Sequence, residues 1–269
     1  MYQDIKPHIY HNEYHSCSPK TGDILLSYDG HNILMTKERT FFHYEDVSPE
    51  RSYQYLFSID TTNYFLTNLH DTDHISLNTN HLRGFEPKEA SFAGITGWQI
   101  YLWMRDNQYC GRCASKMEPD LKERAMRCPN CGNILYPKIS PAVIVAVTND
   151  AGQLLVTKYA ANSYQKYALV AGFNEVGETI EETCIREVKE ETGIEISDLQ
   201  YYKCQPWAYS SSILFGFHAK AHGDQQIHMD TTELRIARWA DPTDTSIDPH
   251  DETSLTAEMI RGFLYGEEK

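Results

Sequence analysis

The sequence predicts an α/β protein in which a cysteine-rich module separates an N-terminal α+β region from a C-terminal α/β region. After residue 138, short apolar segments typical of buried strands alternate with two segments that have the apolar spacing of helices. Before them, two Cys-x-x-Cys pairs lie close together in the chain. We therefore expect three domains, namely an α+β domain over residues 1–105, a cysteine module over 106–137 and an α/β domain over 138–269.

The composition indicates a folded protein and restricts the ligands that its surface attracts. Hydrophobic residues make up 41% of the 269 residues, which is enough for a sizeable core. Acidic residues outnumber basic ones 38 to 24, for a net charge of −14. Most of such a surface repels duplex nucleic acid and anionic membranes, so a nucleotide would have to bind at a local site with help from a cation.

The sequence lacks the features of a membrane or secreted protein. It has no run of roughly 18 or more apolar residues, so we expect no transmembrane helix, and its first residues lack the apolar segment of a signal peptide. Of the seven cysteines, Cys17, Cys184 and Cys204 are scattered and are expected to be free thiols, as in a reducing compartment. We therefore expect a cytoplasmic protein with no membrane partner.

The N-terminal region has the pattern of a small α+β domain without a chemical motif. Apolar segments on both sides of Asp29-Gly30 predict a β-hairpin. Two further strands and a helix are expected at 53–59, 64–69 and 87–105, respectively. Gly94 and Gly97 weaken the propensity of the last segment for an unbroken helix. We expect a structural or dimerising role for this domain.

The C-terminal region has the pattern of an α/β domain. Strands are expected at 142–147, 153–157, 167–171, 201–204, 213–221 and 236–240, and helices at 179–192 and 252–264. A loop rich in glycine and glutamate joins the third strand to the first helix, and loop and helix together contain seven glutamates.

The cysteine module predicts a zinc ribbon. Cys110 and Cys113 form the first pair and Cys128 and Cys131 the second, with fourteen residues between the pairs. Four thiolates with this spacing can close a tetrahedral shell around Zn²⁺. Two redox-active dithiols are the alternative, which the spacing disfavours. Because a shell of four thiolates leaves no position open for water or substrate, the predicted zinc is structural.

The glutamates of the predicted first helix have the spacing of a divalent-metal site. A charge run is usually a solvated helix face, but at ~100° per residue Glu187, Glu190 and Glu191 fall within one arc of roughly 100°, beside the apolar positions. Clustered carboxylates repel one another unless a cation binds, and Mg²⁺ or Mn²⁺ suits such oxygen ligands. Arg186 is expected on the solvent side, where it can pair with Glu182 and Glu190.

This stretch resembles the Nudix box at every defining position of the motif. The matching residues are Gly172, Glu178, Arg186-Glu187-Val188, Glu190-Glu191 and Gly193-Ile194. Nudix hydrolases cleave a nucleoside diphosphate linked to another group. The resemblance implies an α/β/α sandwich around a mixed sheet. It also implies that Glu187, Glu190 and Glu191 hold Mg²⁺ or Mn²⁺ and that one of them helps to deprotonate the attacking water. The structural positions of the box would be Gly172, Glu178, Arg186 and Gly193.

The order of the three domains resembles that of the NADH pyrophosphatase (NAD⁺ diphosphatase) family. That family has the signature Ser-Gln-Pro-Trp-Pro-Phe-Pro-x-Ser shortly after the box. This sequence keeps Gln205, Pro206, Trp207 and the final Ser212, has Tyr209 in place of the phenylalanine, and replaces the first serine and two prolines with Cys204, Ala208 and Ser210. The resemblance implies that Gln205, Trp207 and Ser212 bind substrate.

Three further positions match the same family. Tyr136 and Phe173 occupy the places of two rings that sandwich nicotinamide, one of them reaching across a dimer interface, and Glu233 occupies the place of a further metal-associated glutamate. On the residues alone, a single tyrosine or phenylalanine is more often part of a core. Because one of the two rings reaches across a dimer interface in the family, the resemblance implies a homodimer with a shared nicotinamide pocket.

The function that the resemblance implies is metal-dependent hydrolysis of the pyrophosphate of NADH or NAD⁺ to nicotinamide mononucleotide and AMP. The same pocket would accept the NAD cap of an RNA 5′ end, with few further nucleotides because of the net charge of −14. The alternatives are a Nudix pyrophosphatase for ADP-ribose or another nucleoside diphosphate derivative, and a zinc-ribbon binding protein whose box no longer works.

Overall fold

The computed structural model of the protein describes residues 1–160 and 165–266. The chain divides into two compact units, Tyr2–Lys138 and, together with Met1, Ile139–Lys269. Each unit has a hydrophobic core of its own. The division into three domains at residues 105 and 137 stays a prediction.

The first unit is built from short strands around one long helix. Its strands are β1 (Tyr10–His11), β2 (Ile24–Leu26), β3 (Tyr28–Asp29), β4 (Asn32–Met35), β5 (Phe42–His43), β6 (Gln54–Ile59), β7 (Thr62–Leu66), β8 (Ile75–Asn78), β9 (Glu118–Pro119), β10 (Met126–Arg127) and β11 (Ile134–Leu135), and its helix is α1 (Lys88–Asp106). Among the described residues, the strands form sheets in the orders β1-β6-β7-β2-β5, β3-β4-β8 and β11-β10-β9. The predicted α+β character of this region is confirmed.

The hairpin predicted around Asp29-Gly30 is present but shorter than expected. Strands β3 and β4 pair antiparallel with Tyr28 opposite Ile33, and Gly30 turns the chain with a φ of +57°. The apolar segment before the hairpin pairs elsewhere, since β2 lies between β5 and β7 in the five-stranded sheet. Apolar patterning cannot separate these two sets of partners, because both bury the segment.

Helix α1 is continuous through both of its central glycines. A β-carbon on Gly97 would lie 2.5 Å from Leu26 Cδ1 and 2.7 Å from the Tyr28 hydroxyl oxygen. The same hydroxyl donates a hydrogen bond to the Gly94 carbonyl oxygen at 2.7 Å. The glycines therefore let sheet side chains approach the helix backbone closely, and this packing outweighs their low helix propensity.

The second unit contains one mixed sheet and two α-helices. Its elements are β12 (Ser140–Thr148), β13 (Leu154–Tyr159), β14 (Val170–Phe173), α2 (Ile180–Thr192), β15 (Glu195–Trp207), β16 (Ser212–His222), β17 (Leu234–Ala240) and α3 (Leu255–Tyr265). Among the described residues the strand order is β15-β16-β12-β13-β17, with β14 also paired to β12. Strands β12 and β16 are parallel, whereas β12 with β14 and β15 with β16 are antiparallel. The predicted mixed sheet is confirmed.

The two helices of this unit cover opposite faces of the sheet. Along β12, Val143 and Val145 pack in one buried cluster with Val188 of α2. The intervening Ile144 belongs to a second cluster that contains Leu255 of α3. Because side chains alternate between the two faces of a strand, β12 holds both helices in place, and the predicted α/β/α sandwich is confirmed.

The ends of the helices follow their capping residues. Helix α3 begins at Leu255 rather than at residue 252, because the Ser254 side chain caps it by accepting a hydrogen bond from Ala257 N. No helix in residues 1–160 and 165–266 is long and apolar enough to cross a membrane.

Candidate active site

Local interactions set both ends of helix α2. Thr179 is the N-cap: its hydroxyl accepts a hydrogen bond from Glu182 N at 3.2 Å, and its own N–H donates to Glu182 Oε2 at 2.8 Å. Gly193 ends the helix in the left-handed region, with a φ of +74°, and its N–H donates to the Lys189 carbonyl oxygen at 2.9 Å. This capping box and glycine cap fix the register of the helix, and therefore the direction of the box glutamates.

Strand β14 approaches α2 so closely that a β-carbon at position 172 would overlap the Glu187 carboxylate. A β-carbon on Gly172 would lie 1.9 Å from Glu187 Cδ and 2.1 and 2.2 Å from its two carboxylate oxygens. The Glu187 carboxylate therefore lies against the strand backbone, in the space that any side chain at position 172 would fill.

Arg186 joins the box loop to two of the three box glutamates. Its Nε and Nη2 donate to the two carboxylate oxygens of Glu178 at 2.6 and 3.0 Å. Its Nη1 donates to Glu187 Oε1 at 2.8 Å and to Glu190 Oε2 at 3.0 Å. Its Nη2 also donates to the Phe173 carbonyl oxygen at 3.0 Å. One guanidinium thus orients a loop, a strand end and two carboxylates of the helix.

The position of Arg186 corrects the helical-wheel expectation. The predicted pair with Glu190 is present, but the expected pair with Glu182 is not formed, because Glu182 caps the helix start instead. Glu178 takes its place, and Arg186 is half-buried rather than turned to solvent. The box loop folds back over the first turns of α2, a tertiary contact that a helical wheel does not contain.

Glu178 is held in its charged form. The bidentate Arg186 guanidinium, above all, lowers the pKa of Glu178 to about 2. Its Oε2 also accepts hydrogen bonds from the Thr183 hydroxyl at 2.9 Å and from Glu175 N at 3.1 Å. Each of these bonds favours the ionised carboxylate. Glu178 therefore keeps its charge, and with it the position of Arg186, over the whole physiological pH range.

Glu191 is a buried carboxylate with an atom left unpaired. Its exposed fraction is 3%, and its Oε2 is buried without a hydrogen-bond partner among the described residues. Burial, followed by the negative charges of Glu187, Glu233 and Asp230, raises the pKa of Glu191 to about 8. A buried carboxylate among other carboxylates is unfavourable unless a cation joins them. The donor set therefore fits a hard divalent cation such as Mg²⁺ or Mn²⁺.

The three box glutamates differ in their surroundings. Glu190 is 61% exposed, whereas Glu187 is mostly buried, and burial raises the pKa of Glu187. Within residues 1–160 and 165–266, no three carboxylates come together as tightly as the four ribbon thiols do. One oxygen of Glu187 and one of Glu190 are bonded to the same Arg186 Nη1.

The loop before β17 brings a further carboxylate to Glu191 that the sequence analysis missed. Asp230 N donates to the Glu191 carbonyl oxygen at 2.9 Å, and Asp230 Oδ1 accepts from Thr232 N at 2.8 Å. The charge of Asp230 contributes to the raised pKa of Glu191, as does that of the exposed Glu233. A carboxylate followed two residues later by a threonine is a common turn pattern, so position in the fold, not spacing, identifies Asp230.

The strand register places Phe173 at one end of a row across the sheet. Phe173 is opposite Ala142, Ala142 is opposite Leu214, and Leu214 is opposite Gln205. Directly opposed residues point to the same face, which here is the α3 face, since Leu214 packs in the α3 cluster. The Phe173 ring is 52% exposed at the end of β14, as a stacking platform needs to be.

Two of the predicted substrate-binding residues are buried in the protein. Gln205 is 0% exposed, and its amide is bonded to Thr253 O and Leu255 N. Ser212 is buried, with its hydroxyl 2.8 Å from the Ser210 hydroxyl. Direct contact with substrate would require both side chains to leave these partners, and their binding of substrate stays a prediction.

The remaining two predicted substrate-binding rings are accessible. Trp207 is half-buried, with its ring centroid 5.2 Å from that of Tyr209. Tyr136 belongs to the first unit of the chain and is exposed. Its hydroxyl donates a hydrogen bond to Glu123 Oε2 at 2.6 Å.

The four ribbon cysteines form a compact cluster. Their Sγ atoms all lie within 4.8 Å of one another, with Cys110 and Cys131 3.6 Å apart and Cys113 and Cys128 3.5 Å apart. Cys131 N also donates to Cys128 Sγ at 3.5 Å, as in the outer shell of thiolate metal sites. The cluster fits one Zn²⁺ with four sulfur ligands, as predicted, and leaves no position for substrate.

Two adjacent segments of the chain match models of known protein families. Residues 105–136 match the model of the NADH pyrophosphatase zinc ribbon domain, and residues 138–263 match that of the NUDIX domain. These ranges contain the cysteine cluster and the carboxylate site, respectively.

Curated relatives match about half of the chain. A protein of Pseudomonas aeruginosa called NAD-capped RNA hydrolase NudC is 38% identical over 141 residues, which are 52% of this chain and 50% of the relative. Proteins of the same name match from Vibrio atlanticus, at 40% over 136 residues (51% and 50%), and from Escherichia coli, at 37% over 143 residues (53% and 55%). The chain matches about half the length of each of these relatives. The chain therefore contains a region that matches the NADH pyrophosphatase zinc ribbon directly before a region that matches the NUDIX domain.

Proposed function

We propose that the protein is a divalent-metal-dependent hydrolase that cleaves the pyrophosphate of NADH or NAD⁺ to nicotinamide mononucleotide and AMP. The observation that supports this most directly is the buried Glu191 carboxylate, whose Oε2 has no partner among the described residues. Burying an unpaired carboxylate oxygen is unfavourable for a glutamate with only a structural role, whereas a metal-binding glutamate must keep an oxygen available for the cation. The NADH pyrophosphatase zinc ribbon and the names of the relatives favour the dinucleotide as substrate.

In this proposal the carboxylates of α2 form the metal site. Glu187, Glu190, Glu191 and Glu233 would hold Mg²⁺ or Mn²⁺, which when bound lowers the pKa of water and neutralises charge on the phosphoryl oxygens. One of the three box glutamates accepts the proton of the attacking water. Arg186 keeps Glu187 and Glu190 oriented through its Nη1.

The aromatic residues would bind the nicotinamide end of the substrate. The exposed Phe173 ring and the accessible Tyr136 ring are suited to stack on a planar heterocycle, and Trp207 lies beside the altered signature loop. Because the family resemblance places one of the rings across a dimer interface, we propose a homodimer. Light scattering coupled to size-exclusion chromatography tests this, and a monomeric mass for active protein would contradict it.

Removal of NAD caps from RNA is the second part of the proposal. The relatives are named for this activity. The net charge of −14 disfavours extended RNA binding, so recognition should be limited to the cap and a few unpaired nucleotides. Capped RNAs of increasing length should therefore be cleaved with similar kcat/KM, and a steep rise with length would contradict this.

We also propose that the protein works in the cytoplasm. None of its seven cysteines forms a disulfide, and four of them are gathered in the ribbon, which suits a reducing compartment. Cell fractionation with an antibody to the protein tests this location.

Product chromatography tests the activity itself. Purified protein is incubated with NADH, NAD⁺ and ADP-ribose, with Mg²⁺ and with Mn²⁺, and compared with Glu191→Gln and with Glu181→Gln, an exposed glutamate of the same helix. We expect AMP and the mononucleotide to form fastest from NADH or NAD⁺, with Glu191→Gln at least about a hundredfold slower and Glu181→Gln unchanged. Faster cleavage of ADP-ribose would mean that the replacements at Cys204, Ala208 and Ser210 have changed the substrate.

A further inference from the structure

Gln205 connects strand β15 to the start of helix α3. Its completely buried side chain accepts a hydrogen bond from Leu255 N at 2.7 Å through Oε1 and donates to the Thr253 carbonyl oxygen at 2.8 Å through Nε2. Leu255 is the first residue of α3, and the first N–H groups of a helix have no acceptor within it. Gln205 supplies this acceptor from a distant part of the sequence. The oxygen and the nitrogen of its buried amide therefore both have hydrogen-bond partners.

The segment that Gln205 binds is itself well ordered. Asp251 Oδ1 accepts hydrogen bonds from Thr253 N at 2.9 Å and from the Thr253 hydroxyl at 2.7 Å, and Asp251 Oδ2 accepts one from the Ser254 hydroxyl at 2.8 Å. Ser254 in turn caps α3. Gln205 is thus attached to a preorganised helix start and not to a free loop.

On its other side, Gln205 leads directly into the altered signature loop. Trp207 follows two residues later on the same face of the strand and is opposite Ser212. Gln205 also ends the row that begins with Phe173. A shift of Gln205 would therefore move Trp207 relative to Phe173, while the box glutamates lie on α2, which packs on the opposite face of the sheet.

We infer that Gln205 is a positioning residue. By binding the start of α3 it fixes the position of Trp207, and it does not contact substrate itself. The inference rests on the proposed function for the claim that this loop meets the substrate. Loss of the Gln205 bonds should weaken substrate binding and selectivity, and should leave the hydrolytic step nearly unchanged, because the carboxylates of α2 keep their own contacts.

Amide hydrogen exchange tests the positioning without any assay of activity. The full-length variant Gln205→Met keeps the side-chain size but loses both bonds, and Gln200→Met is the matched control, because Gln200 is exposed on the same strand. We expect exchange in 206–212 and 253–257 to become about tenfold faster in Gln205→Met, as expected for loss of a buried bond, and to stay unchanged in Gln200→Met. Unchanged exchange in 206–212 would overturn the inference.

Steady-state kinetics provide the second readout. We expect Gln205→Met to raise KM for NADH about tenfold with kcat within about threefold of wild type, and to narrow the preference for NADH over ADP-ribose. A fall in kcat with unchanged KM would overturn the inference. Gln205→Asn keeps a neutral amide but is one methylene shorter, and should give intermediate values if Gln205→Met does not fold. If wild-type protein cleaves neither dinucleotide, the proposed function fails, and the exchange result still decides whether Gln205 positions the loop.

Discussion

Gly172 and Glu187 share one space: a β-carbon on the glycine would lie 1.9 Å from Cδ of the glutamate. Gly172→Ala should therefore displace the Glu187 carboxylate and its bond to Arg186. We expect kcat to fall about a hundredfold, since a displacement of about 1 Å in a catalytic group has this effect. We expect the free energy of unfolding to fall by about 1–3 kcal/mol.

Gly111→Ala is the control for this substitution. A β-carbon on Gly111 meets no atom within 4 Å, and its backbone is not left-handed. Its activity and denaturant midpoint should match those of wild type. Full activity in Gly172→Ala would show that Glu187 does not need its present position.

Replacing Glu191 should separate stability from metal binding. Glu191→Gln keeps the side-chain shape and removes a buried, unpaired carboxylate. With EDTA present we expect its thermal midpoint to equal or exceed that of wild type, because without metal the wild-type Glu191 must either bury an unpaired charge or take up a proton, at a cost of about 1–3 kcal/mol or more. The rise in midpoint that Mg²⁺ or Mn²⁺ causes in wild type should disappear.

Differential scanning fluorimetry over a metal titration measures both effects. Glu181→Gln, on the exposed face of α2, should respond to metal like wild type. A metal-induced shift of full size in Glu191→Gln would exclude Glu191 as a ligand.

The pair of Glu178 and Arg186 should make stability depend on acid pH. The folded pKa of Glu178 is about 2, below its usual value of 4.5, so its contribution is present above pH 4.5 and is lost as the pH falls toward 2. Glu178→Gln should therefore be less stable than wild type near neutral pH, and the difference should shrink below pH 4.5.

Urea unfolding, followed by circular dichroism at intervals from neutral to acid pH, checks this dependence. Glu182→Gln is a useful comparison, because Glu182 caps the same helix without contacting Arg186. A difference between wild type and Glu178→Gln that stays constant with pH would contradict the assignment.

Zinc should bind at the ribbon and depend on each of its four cysteines. We expect about one zinc per chain by plasma mass spectrometry, since four sulfur ligands close one shell. Cys128→Ser should lose the metal and lower the thermal stability of the first unit, because a structural zinc contributes directly to folding. Cys204→Ser, at an exposed thiol outside the cluster, should keep both the zinc and the thermal stability of wild type. Retention of zinc by Cys128→Ser would contradict the assignment.

Several parts of the structure could be predicted because they depend on neighbours in the sequence. The zinc cluster follows from two short Cys-x-x-Cys pairs, and the bounds of α2 follow from the Thr179 cap and Gly193. The two faces of the sheet follow from the alternation along β12. In each case the interactions that decide the structure span only a few residues, or repeat with a fixed period.

Other parts could not be predicted because they depend on which segments meet. Gly97 is required in α1 only because Leu26 and Tyr28 approach it from the sheet. Glu178 replaces Glu182 as the partner of Arg186 only because the box loop folds back over α2. Neither helix propensities nor a helical wheel describes contacts between distant segments.

The sequence by itself was enough to predict the resemblance to Nudix hydrolases, the zinc ligands and the three box glutamates, because these predictions depend on residue type and spacing. Only the tertiary structure decided how the residues differ in their surroundings. It buries Glu191 beside the charge of Asp230, leaves Glu190 exposed, and makes the buried side chain of Gln205 the hydrogen-bond partner of Leu255 N. Burial and charge environment arise when distant segments pack together, and they are what give identical side chains different chemistry.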